Sequence, residues 1–322
     1  MSATPHAERR VWMITGTSSG FGKRLVPMVL SRGDYVVATA RDPAKVDFQL
    51  SETDRARLHV VQMDLTDAPE KIQSIVSGAL AVWGRIDVLI NNAGWAPKSL
   101  LEEASPTHTQ SVFQTNVFGV LNTTNAVLPQ MRSRRTGTVV FLGSRSVWKA
   151  DTILTGHYLA SKAAIHAFAE TYAAEVTPFN VRVILAVPGG FRTENIHTAP
   201  LTSENHIPDY NALREEAYGE LTERWVAAPG CPTKIMSLLV DVVTGEGKAA
   251  DRNSPLYLVL GRPTYAAAKA FHERLGKEMD AWRDVAENLD FDDAQGNKSH
   301  IISTELVGFL TSTSLRVFVP RT

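Results

Sequence analysis

The stretch Thr15-Gly16-Thr17-Ser18-Ser19-Gly20-Phe21-Gly22 constrains this chain more than any other, because it follows the apolar run Val11-Trp12-Met13-Ile14 and opens an amphipathic one. Glycines lack Cβ, so the backbone there can turn sharply and approach another group closely. A strand that turns this way into a helix presents unpaired N–H groups and the positive end of the helix dipole to one point in space. A pyrophosphate suits that point. The spacing differs from the G-x-G-x-x-G fingerprint, and the turn lacks the lysine of a P-loop, which weakens an ATPase reading.

Apolar and β-branched runs then recur at 35–40, 58–63, 86–90, 138–142, 181–187 and 256–260, with amphipathic stretches at 22–31, 68–83, 107–132, 156–177 and 232–243 between them. Buried parallel strands joined by right-handed helical crossovers account for this alternation. The expected fold is α/β: a doubly wound Rossmann fold with a seven-stranded parallel sheet. It is read as one domain over 1–289, because one core can serve a chain of this length, with a tail at 290–322. The alternation lapses over 191–229, where Pro200, Pro208 and Pro229 punctuate a polar stretch with a helical pattern at 210–225. Long irregular excursions in compact domains are often lids, and 191–229 is read as a substrate lid. A final helix at 263–289 carries Phe271, Leu275, Met279 and Trp282 as expected core residues. In the tail, 306–310 and 315–319 are apolar enough to dock.

Charge narrows the partners. Lys and Arg total 33 against 34 Asp and Glu, with no long block of one sign, so neither nucleic acid nor a membrane surface is an expected partner. No apolar run approaches the roughly 20 residues of a membrane helix, and 1–10 lacks the apolar core of a signal peptide. Cys231 is the only cysteine, so no internal disulfide forms; a reducing, cytoplasmic setting is expected. Lying among Pro229, Gly230 and Pro232, Cys231 is read as a bystander thiol, and no metal site is expected.

The second strand ends Thr39-Ala40-Arg41-Asp42. A Rossmann unit places there either an acid for a free ribose or an arginine for a 2′-phosphate. Arg41 points to NADP(H), with the hydroxyls of Thr17 and Ser18 as further hydrogen-bond partners. A strand one residue longer would hand the ribose role to Asp42 instead. On the helix at 156–177, Tyr158 and Lys162 stand four residues apart and so share one face. A neighbouring ammonium favours the phenolate, which would let Tyr158 exchange a proton near neutral pH. His157, one step round the helix, should point elsewhere.

Taken together, several motifs closely resemble the short-chain dehydrogenase/reductase superfamily in its classical, NADP-preferring form. They are the turn at 15–22, Asp64-Leu65, Asn91-Asn92-Ala93-Gly94, Asn116, Ser144, Tyr158-Leu159-Ala160-Ser161-Lys162, and Pro188-Gly189 leading to Thr193. The resemblance covers 11–289. It implies that Asn116, Ser144, Tyr158 and Lys162 form the active site and that Asp64 holds the adenine edge, beside Leu65. It also implies cofactor contacts from Gly16, Thr17, Ser18, Ser19, Gly20, Phe21, Gly22, Asn92, Ala93, Gly94, Pro188, Gly189 and Thr193, with Lys162 on the nicotinamide ribose. Asn116 would hold a water that links Lys162 to solvent. From Ser144 to Tyr158 the spacing is fourteen where the family usually has thirteen, so an extra residue is placed in the loop 145–155, with Ser146 the alternative serine. Arg145, with Trp148 and Lys149, is read as shaping the substrate mouth, with solvated surface the alternative for Lys149.

The expected activity is NADPH-dependent transfer of a hydride between cofactor and a carbonyl or secondary alcohol of a small, fairly apolar substrate. A non-redox isomerase, epimerase or dehydratase on the same fold, and a nucleotide-sensing binding protein, are the alternatives. The resemblance also implies a homo-oligomer, dimer or tetramer, built on the helices at 107–132 and 156–177.

Overall fold

A computed structural model describes residues 9–194 and 199–289. In chain order it contains β1 (Val11–Thr15), α1 (Gly20–Ser31), β2 (Tyr35–Ala40), α2 (Glu52–Arg55), β3 (Leu58–Gln62), α3 (Pro69–Trp83), β4 (Val88–Asn91), α4 (Pro106–Phe113), α5 (Gly119–Arg134), β5 (Gly137–Leu142), α6 (Gly156–Val176), β6 (Val181–Pro188), α7 (Asn211–Val226), α8 (Pro232–Thr244), β7 (Tyr257–Leu260) and α9 (Arg262–Ala286). All seven strands are parallel, in the order β3-β2-β1-β4-β5-β6-β7. The expected doubly wound sheet is therefore present. Strand order reverses between β1 and β4, and ligands of open α/β sheets bind beyond the carboxyl ends at such a switch point.

Side chains that alternate along each strand feed two cores. On one face Trp12, Ile14 and Val36 meet Leu25, Val29 and Leu30 of α1 and Met236, Leu239 and Val240 of α8. On the other, Met13, Val37, Leu89 and Phe141 meet Ile72 and Val76 of α3, Val127 and Met131 of α5, and Ile165 and Ala169 of α6. β1, β4 and β5 are covered on both faces, which is why they read as continuous apolar runs.

The stretch 107–132, expected as one helix, is three pieces: α4, a π turn at Gln114–Phe118, and α5. The extra residue of a π turn leaves no trace in hydrophobic periodicity, and such turns recur at functional sites. This one contains Asn116.

At the base of the excursion Phe191 pairs with Gly230, and Lys98 pairs with Leu201. Gly230 has no room for a side chain, since a Cβ there would lie 2.3 Å from the Phe191 ring. Leu100, Leu154, Ala217 and Leu221 form a third apolar cluster under α7, with Leu201, Tyr210 and Trp225 at its edge. Buried beside it, the Glu103 carboxylate accepts from Arg214 Nε (2.9 Å) and Nη2 and from the Ile207 N–H (2.9 Å). Arg214 holds that carboxyl down to about 2. Residues 195–198 of the excursion lie outside the described residues, as does the tail at 290–322 with its apolar stretches.

Among the described residues, one compact unit ends at Ala268 and a second begins at Lys269. In α9, Leu275, Met279 and Trp282 are exposed, where the sequence suggested core residues; an apolar stripe records amphipathicity, not what covers it.

Replacing Arg214 by Leu leaves a buried carboxylate without its cation, and removing one partner of a buried pair destabilises more than replacing both. Arg214→Leu is expected to speed thermolysin cleavage within 199–229, and the double variant Glu103→Leu/Arg214→Leu to recover much of the protection. Equal cleavage in wild type and single variant would show that the pair does not anchor the excursion.

Candidate active site

Thr15, the last residue of β1, organises the carboxyl end of the sheet. Its hydroxyl donates to the Ile90 carbonyl (3.3 Å) and accepts from the amides of Asn92 and Ala93 (3.0 Å each). Asn92 answers with its side-chain amide, which donates to the carbonyls of Thr15 (2.8 Å) and Gly16 (3.0 Å). Asn92 thus clamps the turn beside which it is expected to flank a cofactor. Thr15 itself was not singled out from sequence, because a threonine at a strand end has no distinctive pattern.

Within the turn, Gly16 (φ 69°) and Gly20 (φ 59°) take the left-handed conformation that favours glycine. A Cβ on Gly16 would lie 2.8 Å from Ala93 Cα, and one on Gly22 2.3 Å from the Gly16 carbonyl oxygen. The first amide of α1, on Gly20, donates to the Glu194 carboxylate (3.0 Å), which Arg24 grips with both Nη atoms (3.0 and 2.6 Å). That arginine holds the Glu194 carboxyl down to about 2. The turn therefore does receive an anion at its helix N-terminus, the property a diphosphate needs. Glu194 and Arg24 are 170 residues apart, which is why sequence reading missed them. Thr193 stands over the same turn, its Cβ 3.8 Å from where a Gly20 Cβ would lie. Ser18, Ser19 and Phe21 are partly exposed along it.

Thr17 is placed differently from expectation. It is fully buried, and its hydroxyl donates to the Thr39 carbonyl (3.1 Å), so it ties the turn to β2 and does not reach outward. β2 ends at Ala40, which leaves Arg41 exposed at the strand end. Asp42 caps the next turn by accepting from the Ala44 N–H (3.1 Å). Asp64 uses one carboxylate oxygen on the amide and hydroxyl of Thr66 (2.9 Å each). Leu65 is buried beneath α5, where a Cβ on Gly119 would lie 2.3 Å from the Leu65 carbonyl oxygen. Pro188 closes β6, and a Cβ on the following Gly189 would meet Thr264 Oγ1 at 2.5 Å.

The four expected catalytic residues converge. Ser144 lies two residues beyond the end of β5, close enough to the Tyr158 phenol that its hydroxyl favours the phenolate. The alternative serine lies beside it: the Ser144 hydroxyl donates to Ser146 Oγ (3.2 Å) and accepts from the Ser146 N–H (3.2 Å). Lys162 Nζ lies 5.8 Å from the Tyr158 ring centroid and donates to the Leu142 carbonyl (2.7 Å). Gly94 faces both Lys162 Nζ and Asn116 Oδ1, which would lie 3.6 and 3.5 Å from a Cβ on it. Asn116 accepts from the Trp95 N–H (2.8 Å) and donates to the Trp95 carbonyl (2.8 Å) and to Ser161 Oγ (3.0 Å). The π turn thus makes Asn116 a clamp on the loop that carries Trp95.

Electrostatics differ from the simple Tyr–Lys expectation. Burial pushes the Tyr158 phenol up, against the opposing Ser144 hydrogen bond, and pushes Lys162 down to about 8. Desolvation disfavours both charged forms, and the ammonium is aimed at Leu142. His157 turns away from Tyr158, onto Thr109 (3.1 Å), as its helix position requires. Trp148, placed at the substrate mouth from sequence, instead packs inward on His166 and Tyr257. Cys231 is exposed at the start of α8, where the backbone amide of Lys234 leads the groups that push its thiol down; the sequence reading gave it no such neighbour.

His166 extends the row Tyr158, Lys162, His166 by one more turn of α6. Its Nε2 accepts the Ser144 N–H (3.2 Å), and a Cβ on Gly143 would approach it to 2.4 Å. Burial, with the nearby Lys162, pushes the imidazole down to about 4, so the ring is neutral and carries its proton on Nδ1. The i, i+4, i+8 spacing was the signal that could have found it.

A glycine turn at a switch point beside a Ser–Tyr–Lys group defines a dinucleotide-binding α/β protein with proton-transfer groups at hand. The family profile described as short chain dehydrogenase matches residues 10–203. The chain belongs to that family, whose members are oxidoreductases using a nucleotide cofactor. It is 28% identical to oxidoreductase BOA17 of Botryotinia fuckeliana over 280 residues, 86% of this chain and 98% of that one. It is 32% identical to a 3-ketodihydrosphingosine reductase of Bacteroides thetaiotaomicron over 256 residues, 78% of this chain and 88% of that one. A crystal structure of a short-chain dehydrogenase from Streptomyces avermitilis superposes with a TM-score of 0.76 at 31% identity, covering 88% of this chain and all of that one. Other structures of the fold are complexes with NAD in one case and NADP in another. Among the described residues no helix is long and apolar enough to cross a membrane.

An unfolded-state histidine titrates near 6.5, and His166 in the fold at about 4. Between these values the unfolded chain binds the extra proton, so stability falls as pH falls, by about 3 kcal/mol over the full window. His166→Gln keeps an acceptor without a titrating group. Thermal melts from pH 6.5 to 4 are expected to drop more steeply for wild type than for the variant; parallel slopes would contradict this.

Proposed function

We propose that the protein reduces a carbonyl group, or oxidises the matching secondary alcohol, of a small and fairly apolar substrate with NADP(H). The observation that carries this reading is the placement of Tyr158 and Lys162 one helical turn apart, with Lys162 Nζ 5.8 Å from the phenol ring, beside Ser144 at the carboxyl end of the sheet. The bound nicotinamide would supply or accept the hydride. Tyr158, kept protonated by burial, donates its phenolic proton to the developing alkoxide, and Ser144 holds that oxygen by a hydrogen bond. Lys162, charged at neutral pH with a value of about 8, stabilises the tyrosinate left behind and binds the nicotinamide ribose. Asn116 orients the Trp95 loop against this group.

The cradle fits a dinucleotide: Gly16, Gly20 and Gly22 admit close backbone approach, and the α1 N-terminus already receives a carboxylate. Ser18, Ser19, Phe21, Ala93 and Gly94 would line it, Asp64 and Leu65 would flank the adenine, and Pro188, Gly189 and Thr193 would meet the nicotinamide end. NADP(H) is preferred over NAD(H) because Arg41 is the exposed residue at the end of β2, while the Asp42 carboxylate is engaged as a cap. The name of the 3-ketodihydrosphingosine reductase supports a carbonyl substrate, and Leu100, Leu154 and Leu221 beneath α7 support an apolar one. A cytoplasmic homo-oligomer completes the reading.

Calorimetric titration at fixed salt is expected to show tighter binding of NADPH than NADH, and Arg41→Ala to lose roughly tenfold for NADPH alone. Equal binding of both would move the ribose role to Asp42. Tyr158→Phe is expected to cut carbonyl-dependent NADPH oxidation about 10²- to 10⁴-fold with NADPH affinity unchanged; retained turnover would remove Tyr158 from the chemistry.

A further inference from the structure

Arg145 follows Ser144 and opens the single 3₁₀ turn Arg145–Trp148. Its side chain is partly buried and runs along the Pro188–Gly189 segment, with Cδ 3.8 Å from where a Gly189 Cβ would lie. The end of the α7 segment covers the next residue, since Ala228 Cβ would meet a Cβ on Gly190 at 3.5 Å. Arg145 therefore lies in the corner between Ser144, the end of β6 and the excursion.

Among the described residues, no hydrogen bond or ion pair is made by this guanidinium. Other partly buried arginines here are paired: Arg214 with Glu103, Arg24 with Glu194, Arg57 with Asp54. The charge that presses on Arg145 is a second cation, Arg224 of α7, which together with burial pushes its pKa down; Arg224 itself bonds Glu220 (2.6 Å). A planar fork of five donors, partly desolvated and without an acceptor, is the geometry that takes an oxyanion in two parallel hydrogen bonds. Its position also matters. Arg145 adjoins Ser144 in the chain and reaches along the Gly189 segment that closes β6, which puts it at the border of the site.

We propose that Arg145 is a specificity-determining residue that receives a carboxylate or phosphate carried by the carbonyl substrate. The inference rests on the reductase reading and narrows its substrate class, from an apolar carbonyl compound to one with an apolar body and an anionic group near the carbonyl. A cofactor phosphate offers the same oxyanion chemistry, and the test separates the two sources.

The test compares wild type, Arg145→Gln and Arg145→Lys on benzoylformate and 3-benzoylpropionate against their methyl esters, with NADPH affinity measured alongside. Phenylacetate, which cannot be reduced, is titrated calorimetrically into each NADP⁺ complex. For at least one acid, Arg145→Gln is expected to raise KM roughly tenfold or more, to weaken phenylacetate equally, and to leave ester KM and NADPH affinity unchanged. Arg145→Lys should fall between, since it keeps charge without the fork. Retained NADPH affinity shows that the variants fold.

Equal effects on acids and esters, or phenylacetate binding that ignores Arg145, would overturn the proposal while leaving the reductase reading intact. A loss of NADPH affinity matching the loss for acids would assign the anion to the cofactor and overturn it too. Arg145-dependent phenylacetate binding without turnover of any carbonyl compound would keep the anion site and remove the reductase reading.

Discussion

The clamp between Thr15 and Asn92 is the interaction on which the site depends. β1 and β4 are sequence-distant strands whose helices leave on opposite faces, so their carboxyl ends open a crevice that the backbone alone would leave loose. One hydroxyl and one side-chain amide close its floor with five hydrogen bonds. Gly16 and Gly22 then hold their positions because Ala93, Asn92 and each other's backbone leave no space for a side chain. The anion-binding end of α1 and the Gly94 corner facing Lys162 are consequences of that closure.

From this floor, α6 runs as a row of functional side chains at four-residue intervals. Tyr158 touches Ser144, Lys162 bonds the Leu142 carbonyl, His166 receives the Ser144 amide, and Glu170 accepts from the Tyr257 hydroxyl. Each rung ties the helix to the strands on which it packs, so the position of Ser144 is set from both ends of its own residue. Burial shifts Tyr158, Lys162 and His166 toward their neutral forms, which keeps a proton on the Tyr158 phenol.

The excursion over 191–230 is held by a different logic. Its base closes through Phe191 and Gly230, and its helix is anchored by the buried Glu103–Arg214 pair and a small apolar cluster. Paired charges fix one geometry, because any other leaves a carboxylate unsatisfied in an apolar setting. Arg145 stands against the end of this segment without such a partner, which is what distinguishes it from the other partly buried arginines.

Alternation of apolar runs and amphipathic stretches was enough to read the α/β class, the seven strands and the main helices, since burial on one or both faces imposes the period directly. The turn at 15–22, Ser144, Tyr158 and Lys162 were also legible, because each sits at a strand end or a helical spacing that chemistry requires. The π turn at Asn116, the inward side of Thr17, the anion clasp of Glu194 and Arg24, and the support of Ser144 by His166 were not. These depend on which distant segments meet, and a hydrogen bond across 22 or 170 residues leaves no local pattern. Sequence by itself therefore determined the architecture and brought forward Ser144, Tyr158 and Lys162 as candidates, through local geometry and burial. Only the tertiary structure decided which polar groups are already satisfied by one another and which, like Arg145, face the site without a partner, because that depends on distances between residues far apart in the chain.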